Sequence, residues 1–207
     1  MQIVTITAVI PAYNEAERIK KVISETSPFV DEILVIDDGS NDETALLSQE
    51  VGATVVSQPH QGYVQAVKRG FQSAKGDIVV TLDADGEHDP SDIVKVVAPI
   101  KNGKADLVLG RRNYIPSASE RFIGTIVKVK AAVYDHGTGF RALTKELAVT
   151  LTLRGKCTCG TFVLEAVSKG ARITEVPITI RKIEKKRKRK WIHAIQMVYV
   201  LYQFVKS

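Results

Sequence analysis

The sequence predicts an α/β fold in which helices flank a mainly parallel sheet. Short β-rich runs alternate with helical patterns through the first half of the chain, which is typical of strands joined by crossover helices. The chain has 207 residues, of which 44% are hydrophobic and 25% charged, so it can bury one substantial core. This composition excludes a disordered chain, a fibrous chain and a small disulfide-stapled protein.

Strands and helices can be assigned in chain order. The β-rich runs predict strands over 3–10, 32–37, 53–57, 77–82, 106–110 and 172–180. Helical periodicity predicts helices near 14–25, 42–50, 62–74, 90–101, 141–151 and 160–169. Three helix starts carry suitable residues, namely Asn14, then Asn41 or Asp42, and Pro90. The weakly periodic stretch 111–140 is expected to line a second subsite.

The positive charge of the chain is concentrated near its C-terminus. The formal net charge is +6, and the run RKIEKKRKRK over 181–190 holds eight basic residues and one acidic residue, so the remainder is nearly neutral. Such a run is typical of an attachment patch, and no nucleic-acid partner is expected. We therefore divide the chain into a domain over 1–180 and a tail over 181–207.

The tail continues as a predicted apolar, amphipathic helix over 191–207, which at about 1.5 Å per residue is too short to cross a bilayer. A cationic segment beside aromatic residues suits an anionic membrane surface, and packing on the domain or dimerisation is the open alternative. The N-terminal strand runs directly into Pro11 without a secretory signal, and the chain has only two cysteines. We expect a cytoplasmic protein with peripheral attachment to the cytoplasmic membrane face through 181–207.

The clearest chemical signal is DADGEH, residues 83–88, directly after the apolar run DIVVTL. Ligands of parallel α/β sheets bind beyond the carboxyl ends of the strands. Asp83, Asp85 and Glu87 offer hard oxygen ligands, which suit Mg²⁺ or Mn²⁺ bridging two phosphates. The alternative is a capped turn in which Asp83 and Asp85 accept hydrogen bonds from backbone amides.

Two further polar clusters follow predicted strands. IDDGSND, residues 36–42, places Asp38 where a carboxylate can accept hydrogen bonds from a ribose or a base. PAYNEAE, residues 11–17, offers the ring of Tyr13 to a base and places Glu15 near a helix start. Each cluster alone also fits an ordinary turn or helix cap.

Five motifs occur in the order found in a known enzyme family: VIPAYNEAERI, VIDDGSNDET, GDIVVTLDADGEHDP, DLVLGRR and DHGTGFRALTK. Together they resemble the family 2 glycosyltransferases of the GT-A fold, in particular the dolichyl-phosphate mannose or glucose synthase group. The resemblance covers residues 3–180 and implies a single Rossmann-like GT-A domain. It also implies an inverting transfer of a hexose from GDP-mannose or UDP-glucose to a polyprenyl or dolichyl phosphate, with a divalent cation as cofactor.

The resemblance assigns roles to individual residues. It implies that the donor-binding residues are Pro11, Tyr13, Glu15, Ile36, Asp38, Asp83 and Ala84. It implies that the metal ligands are Asp83, Asp85 and Glu87. Asp135 and Asp85 are implied as catalytic, with Asp135 acting as the base for a hydroxyl acceptor or positioning a phosphate acceptor.

The acceptor side is implied to contain two arginines, Arg111 and Arg121, whose guanidinium groups suit a phosphate. Arg112 is the less suited of the adjacent pair. The chain departs from the family pattern at Val64, where a second glycine is expected. Two alternatives stay open: a transferase with a soluble hydroxyl acceptor, and a non-catalytic module that binds RNA or membranes through the basic run.

Overall fold

The computed structural model describes residues 3–115, 117–183 and 192–207. Its strands are β1 (Ile6–Ala12), β2 (Glu32–Asp37), β3 (Thr54–Ser57), β4 (Ile78–Thr81), β5 (Leu107–Arg111), β6 (Arg141–Thr144) and β7 (Ile173–Pro177). They form one sheet in the order β3-β2-β1-β4-β6-β5-β7, in which β6 runs antiparallel to both neighbours. All other pairings are parallel, which confirms the predicted sheet.

Helices cover both faces of the sheet. They are α1 (Ile19–Thr26), α2 (Thr44–Glu50), α3 (Tyr63–Ser73), α4 (Ile93–Lys101), α5 (Ala118–Lys128), α6 (Lys145–Thr150), α7 (Thr161–Ser168) and α8 (Ile192–Lys206). Side chains of β4 alternate between the faces, as a pleated strand requires. Val79 packs with α3 and α7 residues, whereas Ile78 and Val80 pack with α4.

The predicted helix over 141–151 is wrong in its first part. Residues 141–144 form the strand β6, and only Lys145–Thr150 is helical. Thr144 separates the two because its hydroxyl accepts a hydrogen bond from the backbone N–H of Leu147 (3.2 Å) and caps α6. Pairing with β4 and β5 on both sides overrides the helical pattern at the start of this segment.

Two other expectations on helices also change. The first helix begins at Ile19 and not near residue 14, since Asn14 has a positive φ of 55°. Its side chain accepts a hydrogen bond from the backbone N–H of Asn41 (2.8 Å) and caps no helix. The stretch 111–140, for which no element was predicted, contains the 11-residue helix α5.

The C-terminal helix α8 packs against α5 and α7. Gln196 and Val200 on its inner side have no exposed surface, so packing on the domain, one of the predicted alternatives, occurs along this face. No helix within residues 3–115, 117–183 and 192–207 combines the length and apolar character needed to span a bilayer. The basic run falls largely outside the described residues, which include only its first three positions.

Candidate active site

The carboxyl ends of four strands meet at one edge of the sheet. Ala12 of β1 lies opposite Asp37 of β2, and β4 ends beside them at Thr81. Because β6 runs the other way, its first residue, Arg141, lies at the same edge between Thr81 and Leu109 of β5. The polar clusters that follow these strands are therefore brought together, as expected for an α/β sheet.

Asp83 lies two residues beyond β4 and is fixed by contacts from three directions. The hydroxyl of Tyr63 donates a hydrogen bond to its Oδ1 (3.0 Å), and Nε2 of His88 lies 3.9 Å from its Oδ2. Burial, and then the charge of Asp83, raise the pKa of Tyr63, so this hydroxyl stays protonated as a donor. The carboxylate also rests against Gly139, where an added Cβ would lie 2.7 Å from Cγ of Asp83.

Asp85 stands beside Asp83 in a half-buried position. Its Oδ1 accepts a hydrogen bond from the backbone N–H of Glu87 (3.0 Å). Burial raises the pKa of Asp85, and the negative charge of Asp83 raises it further. Two carboxylates are thus held close enough to repel one another.

This donor set fits a divalent cation. A cation between the two carboxylates would relieve their repulsion, and Mg²⁺ or Mn²⁺ takes few protein ligands when phosphates supply the others. Among the described residues, no three acidic, His or Cys side chains form a group able to hold a metal alone. The structure places Asp83 and Asp85 together, and the part of Glu87 as a third ligand stays a prediction.

The loop that carries the carboxylates is tied from outside by the segment after β7. Ile180 forms a β-bridge with His88, and the backbone N–H of Arg181 donates to the carbonyl of Glu87 (2.8 Å). The guanidinium of Arg181 pairs with Asp89 (3.2 Å) and with Glu25 of α1. A cavity of about 250 Å³ lies between this segment and α1, with Asp85 and Gly86 in its wall.

Asp38 is buried and fully engaged with the loop over 58–62. Its Oδ1 accepts from the side chain of Gln58 (2.7 Å) and the N–H of Gln61 (3.0 Å), and its Oδ2 accepts from the N–H of Gly62 (2.8 Å). His60 Nδ1 lies 2.8 Å from Oδ2, and its ring stacks on Tyr13 with centroids 4.2 Å apart. Asp38 thus shapes the loop beside the cleft, while its contact with a donor stays a prediction.

The other predicted donor residues differ in access. Tyr13 and Glu15 are partly exposed beside the cleft, and the N–H of Glu15 donates to the hydroxyl of Thr44 (2.8 Å). Pro11 is buried near the end of β1, and Ala84 is buried in the loop after β4. Ile36 has no exposed surface and packs in the core. The predicted contact of Ile36 with a donor is therefore not supported, because its side chain fills space between the sheet and α3.

Asp135 does not stand free as a base. Its carboxylate has no exposed surface and binds Arg112 through two bonds, Nε to Oδ2 (2.7 Å) and Nη2 to Oδ1 (2.8 Å). The backbone N–H of Arg112 also donates to Oδ2 (3.0 Å). Burial raises the pKa of Asp135, but the bonds and charge of Arg112 outweigh burial and hold this pKa below its ordinary value. This geometry argues against the predicted base.

Arg112 therefore has a structural partner, a role that the sequence did not indicate. It also pairs with Glu120 of α5 (2.9 Å), so it links the end of β5 to α5 and to the motif DHGTGFRALTK. The predicted acceptor arginines are both exposed, Arg111 at the end of β5 and Arg121 on α5. Nη1 of Arg121 donates to the carbonyl of Ile115 (3.1 Å).

Sequence reasoning missed four residues that build the site: Tyr63, Gly139, Arg112 and Arg141. Tyr63 lies outside the five motifs and Gly139 lies in DHGTGFRALTK, and the two meet only at Asp83 in the folded chain. The two glycines of DHGTGFRALTK, Gly137 and Gly139, were an available signal, because small residues allow close approach of another group. The place of Arg141 at the site edge could not be predicted, because residues 141–151 were assigned to a helix and not to the strand β6.

Comparison with known proteins identifies the family whose profile the chain matches. The profile described as "Glycosyl transferase family 2" matches residues 7–164. Glycosyltransferase AglJ of Haloferax volcanii is 35% identical over 187 residues, which cover 82% of this chain and 60% of the relative. The dolichol-phosphate mannosyltransferase of Pyrococcus furiosus is 31% identical over 200 residues, covering 84% of this chain and 56% of the relative. The chain thus spans little more than half the length of these relatives.

Solved structures show the same fold. The glucosyl-3-phosphoglycerate synthase of Mycobacterium tuberculosis in complex with Mn²⁺, UDP-glucose and phosphoglyceric acid superposes with a TM-score of 0.83 at 24% identity, covering 99% of this chain and 81% of that chain. A complex of the same synthase with Mn²⁺, UDP and glucosyl-3-phosphoglycerate has a TM-score of 0.79 at 26% identity, covering 98% of this chain and 79% of that chain. The predicted single α/β domain agrees with both.

Proposed function

The chain belongs to glycosyltransferase family 2, and we propose that it is a metal-dependent inverting enzyme that moves a hexose from GDP-mannose or UDP-glucose to a polyprenyl phosphate. In this reaction the bond between sugar C1 and the donor diphosphate breaks. A bond from C1 to an acceptor oxygen forms on the opposite side of the sugar. The nucleoside diphosphate leaves with the electron pair.

The ion pair between Arg112 and Asp135 is the observation that carries the choice of acceptor. A hydroxyl acceptor must lose a proton during the transfer and needs a base. The residue predicted as that base is buried, bound by Arg112 at both oxygens and lowered in pKa. A phosphate monoester, with its second pKa near 6, is already anionic at neutral pH and needs no base. The geometry therefore favours a phosphate acceptor.

Asp83 and Asp85 are proposed to hold the cation on the donor diphosphate. A bound cation would stabilise the negative charge that develops on the leaving diphosphate. Tyr63 keeps Asp83 in place through its hydroxyl, and Gly139 leaves room for the carboxylate. Tyr13 and the loop held by Asp38 stand at the adjoining strand ends, where we place the nucleoside.

Arg111 and Arg121 are proposed to receive the acceptor phosphate. Arg111 ends β5, which lies beyond β6 from the metal strand β4, so it faces the cleft from the side opposite the donor residues. Relatives support this acceptor class: the Pyrococcus furiosus protein is named a dolichol-phosphate mannosyltransferase. A Methanococcus voltae relative, 29% identical over 209 residues and covering 82% of this chain and 83% of the relative, is named for transfer of N-acetylglucosamine to dolichyl phosphate.

A soluble phosphorylated acceptor is the second candidate. It is favoured by the likeness to the Mycobacterium tuberculosis synthase that was solved with glucosyl-3-phosphoglycerate. The same arginines can bind the phosphate of such a molecule, but its reacting group would be a hydroxyl and would again need a base.

Peripheral membrane attachment is proposed to bring the enzyme to a lipid acceptor. The outer side of α8 exposes five apolar residues at helical spacing: Ile195, Val198, Leu201, Tyr202 and Val205. This outer apolar stripe follows the basic run, an arrangement suited to anionic lipid headgroups. The cytoplasmic location stays a prediction.

Transfer assays with matched acceptors test the proposed function. Each of GDP-mannose and UDP-glucose is supplied with Mn²⁺, and a short-chain polyprenyl phosphate is compared with the corresponding polyprenol and with 3-phosphoglycerate. We expect one donor to give a polyprenyl-phosphate sugar, no product with polyprenol and loss of product with EDTA. Product from 3-phosphoglycerate alone would support the second candidate and reject the lipid acceptor.

A further inference from the structure

Arg141 is a buried cation at the centre of the site edge. It is the first residue of β6, placed between Thr81 and Leu109. Its side chain has 0% exposure, and the guanidinium carbon lies 4.4 Å from the centre of the Phe162 ring. An arginine keeps its charge at any ordinary pH, so this position places a permanent positive charge inside the protein.

The guanidinium is only partly satisfied by the protein. Nη2 donates a hydrogen bond to the hydroxyl of Thr158 (2.9 Å), whereas Nε and Nη1 have no partner in the part of the chain that the structure describes. A buried charge without a carboxylate, and a buried N–H without an acceptor, both oppose folding. Arg112, in the same site, shows the usual solution, because Asp135 and Glu120 neutralise it.

Contacts link the surroundings of Arg141 to the metal pair. Arg141 pairs with Thr81, two positions before Asp83, and the hydroxyl of Tyr63 donates to Asp83 (3.0 Å). Tyr63 also packs against the apolar cluster that contains Phe162, the ring that the guanidinium faces. The guanidinium is enclosed whereas Tyr63 is partly exposed, so we expect movement of Tyr63 to be the route by which a phosphate reaches it.

We propose that Arg141 is a substrate-binding residue that receives a phosphate oxygen through Nε and Nη1. This inference rests on the proposed function, in which both donor and acceptor carry phosphate. Two N–H donors and a full positive charge match an oxyanion, which would supply the missing acceptor and the missing charge together. The phosphate comes either from the donor diphosphate or from the acceptor, and the two sources can be told apart by titration.

The experiment follows the arginine Nε–H resonances of the intact protein by NMR. The Arg141 signal is assigned by its loss in Arg141→Lys, and the exposed Arg172, which pairs with Asp106 (2.8 Å), provides the reference signal, assigned in Arg172→Gln. One arm adds GDP or UDP with Mn²⁺, and the other adds inorganic phosphate, at constant ionic strength. We expect one arm to move the Arg141 signal in a saturable way while the Arg172 signal stays in place.

Steady-state kinetics then test whether the phosphate that shifts the Arg141 resonance belongs to a substrate of the reaction. Arg141→Lys keeps the charge but removes Nε, and we expect it to raise KM on the order of tenfold for the substrate whose phosphate moves the signal. The proposal is overturned if neither titrant shifts Arg141 more than Arg172. If Arg141→Lys does not fold, the titration is repeated with Thr158→Val, in which the guanidinium of Arg141 remains. The NMR titration measures binding without turnover. Its result therefore does not depend on whether the sugar and the acceptor of the proposed function are correct.

Discussion

Gly139 leaves room for the carboxylate of Asp83, and no larger residue would. A Cβ at position 139 would lie 2.7 Å from Cγ of Asp83, closer than two such atoms can approach. The contact joins the two motifs that the sequence places 56 positions apart, since the carboxylate follows β4 and the glycine precedes β6. The position of the proposed metal ligand is thus set by a residue without a side chain.

Gly139→Ala should disable the enzyme while leaving it folded. The added methyl group would push the Asp83 carboxylate from its place, and a displacement of about 1 Å at a reacting centre can cost on the order of 100-fold in rate. Steady-state kcat measured over a range of Mn²⁺ concentrations checks this. Gly137→Ala is the matched control, because its nearest neighbour, Oε2 of Glu120, is 3.1 Å away and lies outside the carboxylate pair. Equal losses in both variants would contradict the argument.

Asp85→Asn should stabilise the metal-free protein and abolish metal-dependent transfer. Burial and the charge of Asp83 both disfavour the ionised form of Asp85, so removing its charge relieves repulsion worth about 1 kcal/mol. Thermal unfolding in EDTA should show a higher Tm than the parent chain, and Mn²⁺ should no longer raise it.

The control for that change is Asp106→Asn. Hydrogen bonds from Arg172 lower the pKa of Asp106, so loss of this charge should lower Tm slightly, opposite in sign to the effect at Asp85. A fall in Tm for Asp85→Asn without metal would show that Asp85 stabilises the fold and would remove the basis of the prediction.

Asp135→Asn should destabilise the protein by about 3–5 kcal/mol, the usual cost of breaking a buried ion pair. The pKa of Asp135 is lowered in the folded state, so its contribution to stability is complete above the ordinary value of 3.8. The contribution is lost as pH falls through the lower folded value. Urea unfolding of both proteins should therefore show a constant difference from pH 5 upward and a shrinking one in more acidic buffer.

The activity of Asp135→Asn separates the two acceptor classes. With a phosphate acceptor, the remaining folded enzyme should keep the pH profile of the parent chain, because no proton leaves through residue 135. Loss of one limb of that profile would instead identify Asp135 as the base for a hydroxyl acceptor.

The first three motifs could be placed from the sequence because each depends on local order. An apolar run followed by Asp83 and Asp85 predicts a strand and its carboxyl end without knowledge of the rest of the chain. The partners of these residues could not be predicted in the same way. Tyr63 reaches Asp83 across 20 positions, and Arg112 reaches Asp135 across 23, so both pairs exist only through strand order. For the same reason the sequence did not indicate that Arg112 binds Asp135, which was expected to act as a base or to position a phosphate acceptor.

Leu201→Glu on the outer apolar stripe should weaken binding to vesicles that contain anionic lipid. Leu201 is 50% exposed, so the change adds repulsion from the headgroups without opening the core. Sedimentation with phosphatidylglycerol vesicles checks the effect. Glu146→Gln, an exposed change on α6, should leave binding unaltered. Equal sedimentation of the parent chain and Leu201→Glu would argue against attachment through α8.

Removing residues 181–207 is a poorer test, because α8 also supports the domain. The side-chain oxygen of buried Gln196 accepts hydrogen bonds from the backbone N–H groups of Lys156 (3.0 Å) and Cys157 (3.2 Å). Its amide donates to the hydroxyl of Thr161 (3.0 Å). Truncation would leave these groups unpaired and would confuse loss of lipid binding with loss of structure.

The reversed strand β6 also determines when the site can form during synthesis. It is inserted between β4 and β5, which pair with it and not with each other. In a nascent chain that has emerged only as far as β5, the facing edges of β4 and β5 therefore lack a hydrogen-bonding partner. They can be joined only after residues 141–144 have been synthesised and have formed β6. We expect this ribosome-bound intermediate to expose two unpaired strand edges to which a chaperone can bind. Insertion of β6 would then join the donor side of the cleft, after β4, to the acceptor side, after β5.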